Sequence, residues 1–292
     1  MRLLVTADLH FNHHRSRALA ENLIDQMDRV CEETHIDAIL LVGDTAVADG
    51  DSLETCLARI RFAGEKIFLA GNHELWTRSD DSYTIFRELL PRRVRAMGWR
   101  WLEEDSFVAP DRSIAIVGSV GWYDYSFAVP QLEIPRRFYE AKVSPGAAAR
   151  LSAFGALMAD QSDIPPHAME TVARWNDGKF IKLHRSDEAF LEELVTKLAT
   201  QLDALRDVQR VLAAVHHIPF DELLPPRHGP WDFVRAYLGS RKLGEVLKRY
   251  PNVRDVICGH SHFPAEATIG TIRAINIGSG YRSKTYRVID LD

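Results

Sequence analysis

Ala38-Ile39-Leu40-Leu41-Val42-Gly43-Asp44 decides how this chain is read: five apolar residues, a glycine, then a carboxylate. A continuous apolar run of that length is what a strand buried on both faces of a sheet presents. Three other stretches repeat the arrangement. Residues 3–7 lead into Asp8-Leu9-His10, residues 66–70 into Gly71-Asn72-His73-Glu74, and residues 255–258 into Gly259-His260-Ser261-His262. Four expected strands therefore end in side chains that carry oxygen or nitrogen. In open α/β sheets, ligands gather in the crevice beyond the carboxyl ends of the strands. The pattern points to a metal centre with Asp44 near its middle.

Between these stretches the period changes from strand to helix. Leu19, Leu23, Met27 and Val30 recur at helical spacing in residues 16–33, and Leu53, Leu57 and Ile60 do so in residues 51–62. The first 75 residues thus read β-α-β-α-β, parallel strands with crossover helices. A helix is expected over 83–90, stopped by Pro91. Short strands at 100–102, 106–109 and 113–117 suggest a second, mostly antiparallel sheet. Residues 187–209 form an amphipathic helix with Asp187 at the N-cap, and 210–215 a strand ending at His216-His217. A helix over 240–250 and strands over 265–269, 271–277 and 284–291 complete the chain. Only brief helical pieces fit residues 127–184, which Pro130, Pro135, Pro145, Pro165 and Pro166 interrupt. Such a stretch reads as an insertion or lid on a single domain spanning residues 1–292.

Composition sets broad limits. The 292 residues can bury a substantial core, with 46% hydrophobic and 26% charged residues, as in an ordinary globular protein. The 36 basic and 41 acidic residues leave a formal charge of −5 and no basic run, so nucleic acid is not favoured as a partner. Cys31, Cys56 and Cys258 are odd in number and widely spaced, unlike a disulfide framework. The apolar start is too short for a signal peptide, and no window approaches the ~18 apolar residues of a membrane span. A cytoplasmic location without a membrane partner is expected. Oligomeric state is not legible.

The donors at the strand ends are Asp8, His10, Asp44, Asn72, His216 or His217, His260 and His262. They are too many for one tetrahedral ion and suit two ions that share a carboxylate, for which Asp44 is the natural candidate. Gly43, Gly71 and Gly259 each precede a donor, consistent with tight turns. Two divalent ions outweigh two carboxylates and a bridging hydroxide by about one positive charge, so an anion should dock there. Ions roughly 3.5–4 Å apart clamp the attacking and leaving oxygens of an in-line phosphoryl displacement. The chemistry inferred is phosphoester hydrolysis by a metal-activated hydroxide.

The succession D-x-H, G-D, G-N-H-[DE], a lone His and G-H-x-H resembles the signature of the calcineurin-like metallophosphoesterase family. That resemblance frames residues 8–262 and implies an α/β/β/α sandwich of two mixed β-sheets with flanking helices. It implies that Asp8, His10 and His262 hold one ion, that Asn72, His260 and the lone His hold the other, and that Asp44 bridges. His73 would stand outside the ligand set, stabilising the phosphoryl group or protonating the leaving oxygen, oriented by a neighbouring carboxylate for which Asp8 is the candidate. His216 directly follows its strand, whereas His217 stands two residues before Pro219, as in family members reading H-x-P; the strand end favours His216. The donor set admits Mn, Fe, Zn, Ni or Co. The substrate is a phosphate ester, monoester or diester. A nuclease, a cyclic-nucleotide phosphodiesterase and a non-catalytic scaffold are the alternatives.

Other features read more plainly. Trp122, Tyr123 and Tyr125 would stack on a base or aryl group, or simply pack. Arg136, Arg137 and Arg174 read first as solvated, Cys258 as a small buried hydrophobe, and Trp175-Asn176-Asp177-Gly178 as a turn. His13, His14, His35, His167, His184 and His228 have no donor company in the sequence.

Overall fold

The computed structural model describes residues 1–78 and 81–291. Its first sheet holds β1 (Arg2–Thr6), β2 (Ala38–Val42), β3 (Glu65–Leu69) and β4 (Arg100–Trp101), all parallel. The closing strand of the chain, Tyr286–Asp290, joins its edge antiparallel to β1. The helices α1 (His14–Glu33) and α2 (Ser52–Arg59) make the crossovers.

A second sheet is centred on β6 (Ile114–Ser119), β7 (Arg210–Val215) and β8 (Val253–Cys258), with β5 (Phe107–Val108) at one edge and β9 (Ala265–Ile269) at the other. Between β8 and β9 lies β10 (Ile272–Asn276), and the closing strand is β11. The sheet was expected to be mostly antiparallel. Instead β6, β7, β8 and β10 run parallel, and only the edge strands β5 and β9 are antiparallel. The short β4 pairs with β3, not with the strands that follow it.

Alternation along these strands explains the sandwich. Leu3 and Val5, Leu40 and Val42, and Ile67 and Leu69 face Ile116, Leu212, Ala214, Ile257 and Ile275 across the space between the sheets. The intervening residues, such as Leu4, Ile39, Leu41, Val117 and Ala213, face outward under helices. Both faces are therefore covered, which is why β2 reads as an unbroken apolar run. The α/β/β/α sandwich of two mixed sheets is present.

Helix limits hold two corrections. The stretch beginning at Ser82 does not stop at Pro91; it passes through a π turn, Ile85–Leu89, and continues as α3 (Leu90–Ala96) with Pro91 in its first turn. A π turn leaves the α-helical hydrogen-bond ladder out of step, and that is where a residue without an N–H costs little. The helix α4 (Asp187–Asp203) is capped by Ser186, whose side chain accepts the amide of Ala189, and not by Asp187. Asp187 is buried instead and accepts Trp122 Nε1, Tyr125 Oη and Lys142 Nζ. In α5 (Arg241–Lys248) the N-cap is Ser240. Residues 127–184 contain only short helical turns.

Candidate metal centre

The loops after β1, β2, β3, β7 and β8 meet at one edge of the sandwich. Backbone pairing continues past the strand ends: Asp8 N donates to Gly43 O at 2.9 Å and His10 N to Asp44 O at 2.8 Å. On the other sheet, Gly259 N donates to His216 O at 3.2 Å. Glu74 ties two of the loops together. Its buried carboxylate accepts the amides of Asp44, Thr45, Ala46 and Gly71 at 2.6–3.0 Å. Burial and the neighbouring Asp44 oppose its ionisation, while the amide donors favour the anion. At Gly71 a Cβ would lie 2.2 Å from Asp44 Oδ1, and at Gly43, where φ is +81°, 2.3 Å from His216 Nδ1. No larger residue fits at either place.

Asp8, His10, Asp44, His260 and His262 all have positive φ, between 43° and 70°. Such backbone is costly away from glycine, and it gathers where side chains must be aimed. It also answers how His260 and His262, alternate residues on one segment, come to face the same cavity: the left-handed turns lie at the histidines themselves.

The structure brings the expected donors into two groups. One ligand atom each of Asp8, His10, Asp44 and His262 lies within 4.8 Å of the others, and the same holds for Asp44, His216 and His260. Asp44 belongs to both. Across these groups His10 Nε2 lies 2.9 Å from His262 Nε2, and His216 Nε2 lies 3.2 Å from His260 Nδ1 and 3.3 Å from Asp44 Oδ1. Nitrogens this close on both sides of a carboxylate suit cations. Asn72 gives the second sign: it lines the cavity with Asp44 and His260, its Nδ2 donates to Asp177 at 2.8 Å, and its Oδ1 is buried without a hydrogen-bond partner. Amide oxygen, carboxylate and imidazole together fit borderline divalent ions.

Burial holds His10 and His260 below the usual imidazole range, which favours the neutral form a ligand nitrogen must have, and it lowers His73 at the rim as well. Burial alone would lower His216 too, but Asp44 outweighs it and raises the imidazole to about 9. His217 packs beside the cluster, its ring 4.2 Å from that of His260 and its Nε2 buried without a partner. Its Nδ1 lies 2.9 Å from Val120 O, and burial with His216 nearby pushes it down to about 3. Of the two adjacent histidines, His216 is the one that joins the donors.

His73 lies at the rim. Its Nε2 is 3.7 Å from Asp44 Oδ2 and 3.4 Å from the hydroxyl of Tyr281, and its ring stacks on Trp76 with centroids 3.6 Å apart. The carboxylate expected beside it was Asp8, but Asp8 accepts the amide of His260 at 3.1 and 3.2 Å. Asp44 takes that place.

Three residues escaped the sequence reading. Asp177, in the stretch read as a turn, is fully buried and accepts Asn72 Nδ2, Trp76 Nε1 and Trp175 Nε1 at 2.7–2.8 Å and Tyr123 Oη at 3.1 Å. The only signal was its company, a tryptophan two residues away. Tyr281 stacks on His10 with centroids 4.2 Å apart. Lys284 Nζ donates to Asp8 O at 2.6 Å, and burial lowers the amine to about 8.

Trp122 and Tyr123 are wholly buried, so this loop packs and does not meet a ligand. Arg137 pairs with Asp163, and Arg136 with Glu140 and Glu188. Cys258 is buried in β8. A cavity of about 560 Å³ opens from the donors, walled by Trp76, Trp175, Trp231, Pro225, Val234 and Leu238, with Arg174 and Arg235 on its lining. Among the described residues no helix is long and apolar enough to cross a membrane.

The calcineurin-like phosphoesterase profile matches residues 1–264. No curated protein matches the chain. Among solved structures, the chain is similar to a phosphopantetheinyl hydrolase from Mycobacterium tuberculosis, with 22% identity, a TM-score of 0.66, and 96% of this chain and 89% of that one covered. It is similar also to a dimetal phosphatase from Danio rerio, with 15% identity, a TM-score of 0.56, and 99% and 91% covered. At such identities these likenesses speak for the fold.

Proposed function

Because the chain belongs to the calcineurin-like phosphoesterase family, we propose that it hydrolyses phosphate esters at two metal ions. Asp8, His10 and His262 would hold one ion, Asn72, His216 and His260 the other, and Asp44 both. The observation that carries this reading is Asn72: it lines the cavity with Asp44 and His260, Asp177 pins its amide nitrogen, and its amide oxygen is buried without a partner. When bound, the ions would supply Lewis acidity toward phosphate and a nucleophile formed from water at neutral pH.

The chain's own part is placement and proton handling. His73 Nε2, braced by Trp76 and Tyr281, faces the cavity where it can donate to a phosphoryl or leaving-group oxygen. Residues 127–184 act as a lid on a single domain, because Arg174, Trp175 and Asn176 come from that stretch to the cavity wall. Three unpaired cysteines support a reducing, cytoplasmic setting. A nuclease reading finds no support in a formal charge of −5, and a scaffold has no use for an intact donor set.

The test is chelation followed by reconstitution with Mn, Fe, Zn, Ni or Co in turn, assayed on p-nitrophenyl phosphate and bis(p-nitrophenyl) phosphate. At least one ester should be hydrolysed in a chelator-sensitive way, and Asp44→Asn should lose both turnover and bound metal. Two retained ions with full activity in that variant would overturn the assignment.

A further inference from the structure

A monoester brings one organic arm to a metal centre, and a diester brings two. Two cavities border this centre. The first is the aromatic and apolar one already described. The second, of about 420 Å³, is lined by Asn12, His13, Arg15, Arg282 and neighbours, and it shares His73, Trp76, Asn176 and Tyr281 with the first. The residues flanking the point of reaction are thus a partition with room on either side.

The two sides differ in chemistry. Trp175, Trp231, Val234 and Leu238 give the first side an apolar wall, and Trp231 is 65% exposed, an unusual position for a ring that nothing covers. Among the described residues no carboxylate lines the second side. Arg15 and Arg282 lie there, and among the described residues neither is paired with an acid. An exposed guanidinium on a cavity wall without an acidic partner is a ready partner for phosphate or carboxylate. His13, half-buried beside Tyr281, adds a further nitrogen donor to the same side.

Resting on the phosphoesterase reading above, we infer that the substrate is a phosphodiester with an apolar or aromatic arm and an anionic arm. Arg15 and Arg282 form the subsite for the negative charge of that second arm. In the reaction the oxygen of water bonds to phosphorus and the bond to one ester oxygen breaks. That oxygen takes up the proton the water gives up, leaving an alcohol and a phosphomonoester. No oxidant or second reactant is needed.

The inference is tested with two aryl diesters that differ in one charged group: thymidine 5′-(p-nitrophenyl phosphate) and the same compound carrying a 3′-phosphate. The metal-loaded protein should prefer the 3′-phosphorylated ester by about tenfold or more in kcat/KM, the scale of one charge-assisted contact. In the Arg15→Ala/Arg282→Ala variant that ratio should fall to near one. Both arginines are exposed, so folding is not at risk, and the melting temperature checks it. A ratio near one in the parent protein, or a ratio unaltered in the variant, overturns the subsite. Hydrolysis of p-nitrophenyl phosphate with neither diester cleaved overturns the diester assignment and leaves the phosphoesterase reading standing. Failure on every ester overturns both.

Discussion

His73 touches the donor cluster without belonging to it. Its ring stacks on Trp76, its Nε2 reaches Tyr281 and Asp44, and it is absent from both groups of converging atoms. Replacing it should therefore spare the metals. His73→Ala is expected to keep two ions per chain by elemental analysis while turnover falls by roughly 10²-fold, the usual worth of a positioned proton donor. Unchanged turnover would remove His73 from the chemistry. Asp177 makes the opposite case. Four donors converge on this one buried carboxylate, one of them the amide of Asn72. An amide in its place offers one acceptor and turns an NH₂ toward groups that are themselves donors. Asp177→Asn should weaken the ion nearest Asn72 by roughly 10–100-fold, as when the partner of a metal ligand is removed. Titration with metal would show it as one tight and one weak site. Two sites of parental affinity would show that Asn72 needs no brace.

Single elements show where one residue's environment sets stability. Glu103 follows β4, is buried, and accepts the amide of Val120 just past β6, while its other oxygen has no partner. Burial pushes its carboxyl up to about 8. The unfolded chain would ionise the same group in the ordinary carboxylate range. The folded state therefore binds the extra proton in between, and the stability present at lower pH is lost as pH rises toward 8, at about 1.4 kcal/mol per unit of pH. Glu103→Gln keeps an acceptor for Val120 and cannot ionise. It should match the parent near pH 5 and melt several degrees higher at pH 8; equal melting at both pH values would mean that the carboxyl ionises freely. Nothing in the sequence around Glu103 marks it, because the burial comes from strands brought together only by the fold. Strand positions were far more legible. Continuous apolar runs located β2 and β7 to the residue and β1 and β3 to within one. What the runs could not give was partnership. The short β4 pairs with β3 across a helical excursion, and parallel pairing in the second sheet comes from crossovers longer than any local pattern. The turn chemistry at Pro91 also escaped, since a π turn leaves no mark in hydrophobic spacing.

Across the whole molecule, the donors divide between the sheets. Asp8, His10, Asp44 and Asn72 leave β1, β2 and β3 of the first sheet, while His216, His260 and His262 leave β7 and β8 of the second. The motif residues were legible as a set for this reason: each follows a strand, and parallel strands in both sheets deliver their carboxyl ends to one edge. The same division has an energetic consequence. Each proposed ion would take ligands from both sheets, Asp8 and His10 with His262 for one, Asn72 with His216 and His260 for the other. Metal would then cross-link the sandwich at this edge, in addition to the apolar layer between Leu40, Ile67, Leu212 and Ile257. Unfolding separates the two sheets and destroys both sites, so binding must stabilise the folded chain. At a free metal concentration 100 times the dissociation constant the gain is about 2.7 kcal/mol for each ion. For a chain of this size that is roughly 4–5 °C in melting temperature per ion. Chelation should lower the transition by at least that amount, and added Mn or Zn should restore it in proportion to the logarithm of its concentration. Asp44→Asn, which removes the one donor common to both groups, should melt at nearly the same temperature with and without chelator. A parent protein indifferent to chelator would show that the sheets are joined by their apolar layer alone and that the edge holds no tightly bound ion.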